Sequence, residues 1–206
     1  GLAAPGPIVN VDAFCLDRHE VSARRYQQCV SEGRCAAAGA GVGCNDGTVP
    51  ARLEHPVTCI TQGQAAQYCS AYGMSLPTEA QWESAATRRG QGWPTTAAPA
   101  PFQAALAVAV QDSGHATPEG VLGLVGNVAE WTADFFADYP TGEQRNPTGP
   151  SRGDARVVRG GSFRSVVVPP PAGPVPAASL APQARGKLDP SSKLPDVGFR
   201  CAAQLR

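Results

Sequence analysis

Apolar and polar residues follow a helical period in three short segments of the chain. Ser22 precedes the first segment, and Thr61 and Thr78 precede the other two. All three are preferred helix N-caps, and each threonine has a glutamine three residues later, as in a capping box. The pattern predicts helices that end at Gly33, at Gly73 and at Arg88-Arg89-Gly90. Their buried faces are predicted to carry Tyr26, Cys29 and Val30, then Ala65, Ala66 and Cys69, then Trp82, Ala85 and Ala86.

Other short apolar segments predict β-strands, because they alternate with polar residues or are rich in β-branched residues beside a turn. The predicted strands are residues 7–16, 55–60, the segment entered through the turn at 126–131, 156–159 and 197–203. Residues 34–54 lack a periodic pattern, and we expect Cys35 and Cys44 to staple this loop. Residues 91–120 are also poorly periodic, and Phe102–Val110 fits either a short helix or a short strand.

A proline-rich stretch follows the predicted strand at 156–159. Gly160 and Gly161 allow a bend there, since glycine tolerates backbone angles and close contacts that other residues do not. Residues 166–182, VVVPPPAGPVPAASLAP, contain prolines that cannot donate hydrogen bonds to a sheet. We expect them to form an extended, polyproline-like surface loop.

The length and charge of the chain limit its class. A chain of 206 residues can bury one sizeable core, and no linker divides it, so a single domain over residues 1–206 is predicted. Its 17 basic and 17 acidic residues give no net charge, and the basic residues form no cluster. The sequence therefore offers no electrostatic surface for nucleic acid or for an anionic membrane.

The cysteines point to an oxidising compartment. There are seven, without a CxxC pair or the spacing of a zinc finger, which favours disulfides and leaves at least one thiol without an intrachain partner. No run of 18 apolar residues is present, and the sequence starts at Gly1. We expect an exported protein, periplasmic, cell-surface or extracellular, whose signal peptide has been removed.

A set of short motifs runs from about residue 17 to residue 202. They are His55-Pro-Val57, Tyr68-Cys69, Leu76-Pro-Thr-Glu-Ala-Gln-Trp-Glu83, Gly126-Asn127, Glu130-Trp131, Arg156 to Phe163, Arg185, Pro190 and Gly198-Phe-Arg-Cys-Ala202. In this order the motifs resemble the sulfatase-modifying-factor family, whose founding activity is that of the formylglycine-generating enzyme. The resemblance implies an irregular, loop-rich α+β domain related to the C-type lectin fold, low in regular secondary structure and stapled by disulfides. It also implies a disulfide between Cys69 and Cys201.

The resemblance further implies a calcium site. Family members bind this ion at a turn through backbone carbonyls and a glutamate, and the corresponding residues are Gly126, Val128 and Glu130; oxygen ligands suit calcium. Gly123 stands where a ligand asparagine usually precedes the turn. The alternative, that Glu130 accepts hydrogen bonds from amides of the turn, therefore stays open.

Catalytic members of this family use two redox-active cysteines after the glycine turn. These bind copper(I), which soft thiolates suit, and activate oxygen to oxidise a cysteine of the substrate. Counted from Phe163, the matching positions are Ser165 and Pro170, which supply no thiolate, and no cysteine lies between Gly160 and Arg200. We therefore expect neither copper binding nor formylglycine-generating activity.

Two other family branches work without the cysteine pair. One makes sulfur-containing histidine derivatives with iron held by histidines, but His19, His55 and His115 are far apart in this sequence, which argues against a shared metal site. The other modifies siderophore chromophores, and that relation stays open.

Charged and aromatic residues of the motifs are predicted to be structural. The family pattern favours ion pairs and loop anchors over a catalytic charge cluster for Glu20, Arg159, Arg185 and Arg200. Trp82 and Trp131 are predicted in the core, whereas Trp93, between a glycine and a proline, is the candidate for an exposed aromatic contact.

The segment that distinguishes this chain is apolar and lies where the enzymes keep their cysteines. Its residues, with Trp93, are the predicted partner-binding set: Val166, Val167, Val168, Pro169, Pro170 and Pro171. Exposed apolar segments usually have a partner, and an extended one can pair with a groove or sheet edge of another protein. Alternatively, the segment folds back over its own domain and fills the cleft.

Three functions follow from these patterns. The leading hypothesis is a catalytically inactive exported member that binds another protein or is part of a larger surface or periplasmic assembly. The alternative is an oxidoreductase that modifies a protein or siderophore without the cysteine pair. A third is a ligand-binding protein diversified by a retroelement; such variable segments are rich in Asn and Tyr, whereas residues 164–194 contain neither.

Overall fold

The computed structural model describes residues 8–87, 107–112, 116–164 and 185–205. Within these ranges the backbone forms three α-helices and eight short strands, joined by long irregular segments. The helices are α1 (Ala23–Ser31), α2 (Gln62–Ala71) and α3 (Glu79–Ala86). The strands are β1 (Val9–Asn10), β2 (Phe14–Leu16), β3 (Ala129–Phe135), β4 (Gln144–Arg145), β5 (Arg156–Arg159), β6 (Arg185–Leu188), β7 (Val197–Gly198) and β8 (Ala202–Gln204). The predicted loop-rich α+β class is confirmed.

All three predicted helix starts are confirmed. The Ser22 side chain accepts a hydrogen bond from the backbone N–H of Arg25. Thr61 and Thr78 each accept from the N–H three residues on, at 3.1 Å, and the glutamine there accepts the N–H of its threonine. Each box satisfies two backbone donors that a helix start would otherwise leave unpaired. The predicted end of α3 at 88–90 lies outside the described residues.

A four-stranded sheet with the order β6-β5-β3-β7 forms the framework of the fold. The central strand β3 is antiparallel to β5 and parallel to β7. This register places Glu130 opposite Arg159 on one side and opposite Gly198 on the other. Three of the family-like motifs therefore meet along the middle of one sheet.

The predicted strand at 55–60 is wrong. Its backbone binds two separate segments instead of one strand: the N–H of Val57 donates to Val21, and the N–H of Thr58 donates to Asn45. Cys59 has a φ of 57°, which breaks an extended backbone. The segment thus runs between loops and forms only an isolated bridge, from Pro56 to Ser22.

Two long predicted strands are each divided in the structure. The opening segment 7–16 forms β1, which pairs with β4, and β2, which pairs with β8. The closing segment 197–203 forms β7 in the main sheet and then β8 in the two-stranded sheet. Of Phe102–Val110, only 107–110 are described, and a 3-10 helix begins at Val110.

The main core lies between α1, α2 and the sheet. Tyr26 stacks on Tyr68 with ring centroids 5.6 Å apart, and Phe199 meets both rings edge-on. Trp131 is fully buried in this cluster, and Trp82 is fully buried in a second one. Both predictions of a core tryptophan are therefore confirmed.

Three disulfides fix the irregular segments. They join Cys29 to Cys35, Cys44 to Cys59, and Cys69 to Cys201. The last is the pairing that the resemblance implies. The first two join the start and the middle of the loop at 34–54, which was predicted to need a staple, to α1 and to the segment after the loop. Cys15 is exposed and free, in keeping with the odd number of cysteines.

Among the described residues, none of the helices has the length and apolar character needed to cross a bilayer.

Candidate functional site

The glycine turn after β5 packs directly on the turn that precedes β3. Gly126 donates its N–H to the carbonyl of Gly160 at 2.9 Å, and Phe163 donates to the carbonyl of Asn127 at 2.8 Å. Gly160 has a φ of 91°, and a Cβ there would lie 2.6 Å from the Leu124 carbonyl oxygen. Only glycine fits this close approach. The two turns are therefore held against each other by backbone hydrogen bonds and close packing.

Beside this turn, two arginines converge on the first helical residue of α3. Glu79 accepts hydrogen bonds from Arg159 at 2.8 Å and from Nε and Nη2 of Arg185 at 2.6 and 2.8 Å. Arg159 also binds Glu83 at 2.6 Å, and the Tyr139 hydroxyl donates to Glu79 at 2.8 Å. As predicted, these arginines join the strands to the helix and are held by ion pairs.

A second charge cluster is fully buried beneath the turn. Glu130 and Arg200 have no exposed side-chain surface, and Nη2 of Arg200 lies 2.7 Å from Oε1 of Glu130. The other carboxylate oxygen, Oε2, accepts from Arg200 Nε at 2.8 Å and from the Trp82 indole at 2.9 Å. Arg200 also donates to the carbonyl oxygens of Asp17 and Leu122. These bonds hold the segment between β7 and β8 against the central strand β3.

Glu20 completes this cluster as a second buried carboxylate. Its Oε1 accepts a hydrogen bond from Asn127 at 3.0 Å, whereas none of the residues that the structure describes donates one to Oε2. Burial is the main cause that raises the pKa of Glu20, to about 8, and Arg200 only partly opposes it. Glu130 already neutralises Arg200, so the cluster favours a proton on Glu20 at neutral pH.

The proton on Glu20 has a consequence for stability. Between the ordinary glutamate pKa of 4.5 and about 8, the folded chain holds a proton that the unfolded chain has released. Stability from this group is thus complete below 4.5 and is lost as pH rises through about 8. We expect Glu20→Gln to remove this decline from the free energy of unfolding, measured by urea titration between about pH 5 and pH 8.

Asp154→Asn, a change at an exposed acid, is the matched control and should keep the wild-type pH profile. A Glu20→Gln profile parallel to that of the wild type would contradict the assignment of the proton.

The turn must offer free oxygen atoms if it is to hold the predicted calcium ion. Both carboxylate oxygens of Glu130 already accept two hydrogen bonds each, from Arg200 and Trp82, and not from turn amides. Gly123 brings no side-chain oxygen, and a Cβ there would lie 2.5 Å from the Glu20 carboxylate. Glu130 therefore has no carboxylate oxygen free for the ion. Calcium binding through Gly126, Val128 and Glu130 remains a prediction, which calorimetric titration of EGTA-treated protein would test.

Of the remaining candidate residues, the structure describes only two histidines. His19 and His55 each bond through Nδ1 to a backbone carbonyl, of Val110 and Ala107 respectively. His115 lies outside the described residues, as do Ser165, the partner-binding segment Val166–Pro171, and Trp93. In the described ranges, no three His, Cys, Asp or Glu side chains form a group that could hold a metal ion.

Two residues with central positions were not singled out by the sequence patterns. Glu79 was visible only as a letter of the LPTE motif, although an acid in the first turn of a helix is stabilised by the helix dipole. Asn127 has a φ of 52°, accepts the N–H of Val108 and donates to Glu20. Its signal was the Gly-Asn pair of a tight turn.

The chain is similar in sequence to proteins of known name. The formylglycine-generating enzyme of Bos taurus is 30% identical over 183 residues, which cover 77% of this chain and 46% of the enzyme. Serine/threonine-protein kinase pkn1 of Chlamydia pneumoniae is 31% identical over 166 residues, 76% of this chain and 25% of the kinase. This chain thus spans less than half of either relative.

A solved structure shares the fold. Treponema denticola variable protein 1 superposes with a TM-score of 0.70 at 20% identity, over 96% of this chain and 86% of that one. The family model described as "Sulfatase-modifying factor enzyme 1-like domain" matches residues 3–205. The chain therefore belongs to the sulfatase-modifying factor enzyme 1-like family.

Proposed function

We propose that this chain is a catalytically inactive member of its family, which acts as a protein-binding or structural module in an exported assembly. The observation that carries this proposal is the state of its cysteines. Six of the seven are paired in three disulfides, and the free thiol, Cys15, lies on β2. A copper(I) site of the family type needs two thiolates, and one thiol is left.

The retained scaffold supports a binding role. The turn at 160–163 and its supporting ion pairs are in place, but the sequence continues from it with Ser165 and Pro170 where thiolates are needed. Three disulfides are compatible with an oxidising compartment, and an exported location fits them.

The partner is proposed to be another protein, bound through Val166–Pro171 with Trp93 as an accessory contact. This assignment rests on the sequence, since an apolar proline-rich segment is suited to the groove or sheet edge of another chain. Purification of the native protein with whatever accompanies it would identify the partner by mass spectrometry.

Deletion of Val168 to Pro176 tests the assignment. We expect the variant to lose the co-purifying partner and to keep the melting temperature of the wild type. Replacing the same residues by a Gly-Ser linker of equal length is the matched control and should also lose the partner, because length alone does not provide the contact. Unchanged association of both variants would contradict this binding segment.

A further inference from the structure

A large groove runs along the outer side of α3. It has a volume of about 1570 Å³ and is bounded by β1 and β2, by α3, and by the segment 134–150. Sites for small molecules commonly measure roughly 300–1,000 Å³. The groove therefore has room for a longer ligand, such as several residues of a polypeptide.

One wall of the groove is an unpaired strand edge. Asp17 donates to the carbonyl of Cys201, and Leu16 lies opposite Ala202. Both backbone groups of Ala202 bond to Ser75, on the other side of β8. Because hydrogen-bonded and non-bonded pairs alternate in an antiparallel ladder, Phe14 and Leu16 direct their N–H and C=O groups away from β8.

Within the described residues, backbone pairing on this side of the strand begins only beyond the C-terminal end of β2. Two residues beyond Leu16, the carbonyl of Arg18 accepts the N–H of Leu122 at 2.8 Å. Among the described residues no other strand pairs with the free edge of β2, and Phe14 and Leu16 both line the groove. An extended peptide laid along this wall meets up to four backbone groups ready for hydrogen bonds.

The groove is acidic. Six acidic residues line it, against a single lining arginine, Arg185. Three of the six are already in ion pairs: Asp12 with Arg145, Glu79 with Arg159 and Arg185, and Glu83 with Arg159. Within the described residues, Glu119, Asp134 and Asp138 form no ion pair and supply the unpaired negative charge. Glu119 and Asp138 are exposed on the rim, and the Glu83 side chain remains 35% exposed beside Arg159. Such a lining attracts a cationic ligand and repels an anionic one.

At the floor lies one carboxylate that the fold does not fully use. Asp134 is only 4% exposed, and its Oδ2 accepts the backbone N–H of Glu79 at 2.7 Å. In the described ranges no side chain or backbone group donates a hydrogen bond to its Oδ1, although Arg185 and Arg156 act on the carboxylate electrostatically, and the residue lines the groove. Burial raises the pKa of Asp134 to about 6, which a cation bound at Oδ1 would lower again.

We propose that this groove binds an extended basic segment of a partner protein, which pairs with the free edge of β2 and sets a lysine or arginine against Asp134. The inference rests on the proposed function for the class of partner, a protein, but it uses a surface separate in sequence from Val166–Pro171. Hydrogen bonds to the backbone of β2 would orient the bound segment along the groove. The acidic lining would favour a basic segment over an acidic one.

Three synthetic hexapeptides test the proposal by fluorescence polarisation with the full chain. The first alternates lysine with valine, the second alternates glutamate with valine, and the third is the lysine peptide with alternate backbone nitrogens methylated. We expect the lysine peptide to bind at least about tenfold more tightly than either of the others, because charge and backbone pairing both contribute.

Variants of the groove locate the contact. Glu119→Lys with Asp138→Lys should weaken the lysine peptide about tenfold, and Asp134→Asn should also weaken it. Glu32→Lys with Asp154→Lys, at exposed acids outside the groove, should leave its binding unchanged, and melting temperatures verify folding.

Equal binding of the methylated peptide, equal binding of the glutamate peptide, or no binding of the lysine peptide would each overturn the proposal. Its failure would differ from failure of the proposed function, since the peptides report on the groove and the Val168–Pro176 deletion reports on the partner-binding segment.

Discussion

Replacement of Arg200 by methionine is expected to lower the free energy of unfolding by roughly 3–5 kcal/mol, the typical result of removing one partner of a buried ion pair. Methionine fills a similar volume, so the loss is electrostatic. Glu130 would lose the one buried counterion that it has among the described residues, next to the second carboxylate, Glu20. Three hydrogen bonds to Glu130 and two to backbone carbonyls would also disappear.

Equilibrium unfolding in guanidinium chloride measures this loss, with Arg145→Met as the matched control. Arg145 pairs with Asp12 at the surface, where its side chain is 75% exposed. Because exposed pairs are screened by water, the control should change stability far less. The double variant Arg200→Met with Glu130→Gln should lose less than the sum of the single losses. A loss at Arg200 no larger than that at Arg145 would contradict the account of this cluster.

Removal of the disulfide between Cys69 and Cys201 is the second large effect that we expect. Alanine at both positions should destabilise the chain by roughly 3–5 kcal/mol, since the bond closes a loop with a sequence separation of 132 and restricts the unfolded chain. Both cysteines are fully buried between α2 and the segment that leads into β8. The bond therefore ties an early helix to the end of the fold.

The disulfide between Cys29 and Cys35 provides a control with a short loop. Its sequence separation is 6, so the chain-entropy model assigns it only about 2 kcal/mol. Thermal and denaturant unfolding of the two double-alanine variants should show the larger loss for the long loop. Equal losses would show that restriction of the unfolded chain is not the main contribution.

The helix starts could be predicted because their causes are local. A threonine and a glutamine three residues apart contain both partners of each capping hydrogen bond, so Thr61 and Thr78 carry the information by themselves. The glycine turn at 160–161 is similarly local, since both residues have positive φ. The caps do not depend on the rest of the chain, whereas the close approach of Gly160 to Leu124 does.

The division of residues 197–203 between two sheets could not be predicted, because it depends on distant partners. β7 pairs with β3, and β8 pairs with β2, nearly the full length of the chain away. Arg200, between them, turns inward to Glu130. The apolar pattern of residues 197–203 predicts a single strand, whereas the structure contains two strands in different sheets.

The pairs of charged residues in the candidate site could not be predicted either, because they also depend on distant partners. Its motifs identified Glu130, Arg159 and Arg200, yet their partners are side chains at separations of 70 to 80 residues. Nothing near Glu20 in the sequence marks it as a second buried carboxylate above Arg200. The family motifs therefore predict which residues matter, and the structure supplies the pairs through which they act.

The central claim is that this chain keeps the scaffold of its family without the chemistry of the formylglycine-generating enzyme. The most direct test incubates the protein with copper(I), oxygen and a peptide that carries the modifiable cysteine of a sulfatase, the substrate class in the family's name. The enzyme of Bos taurus serves as the positive control. Oxygen consumption and the peptide mass are followed together, by electrode and by mass spectrometry. We predict that both remain as in the sample without protein; conversion of the cysteine to formylglycine with consumption of oxygen would contradict the account.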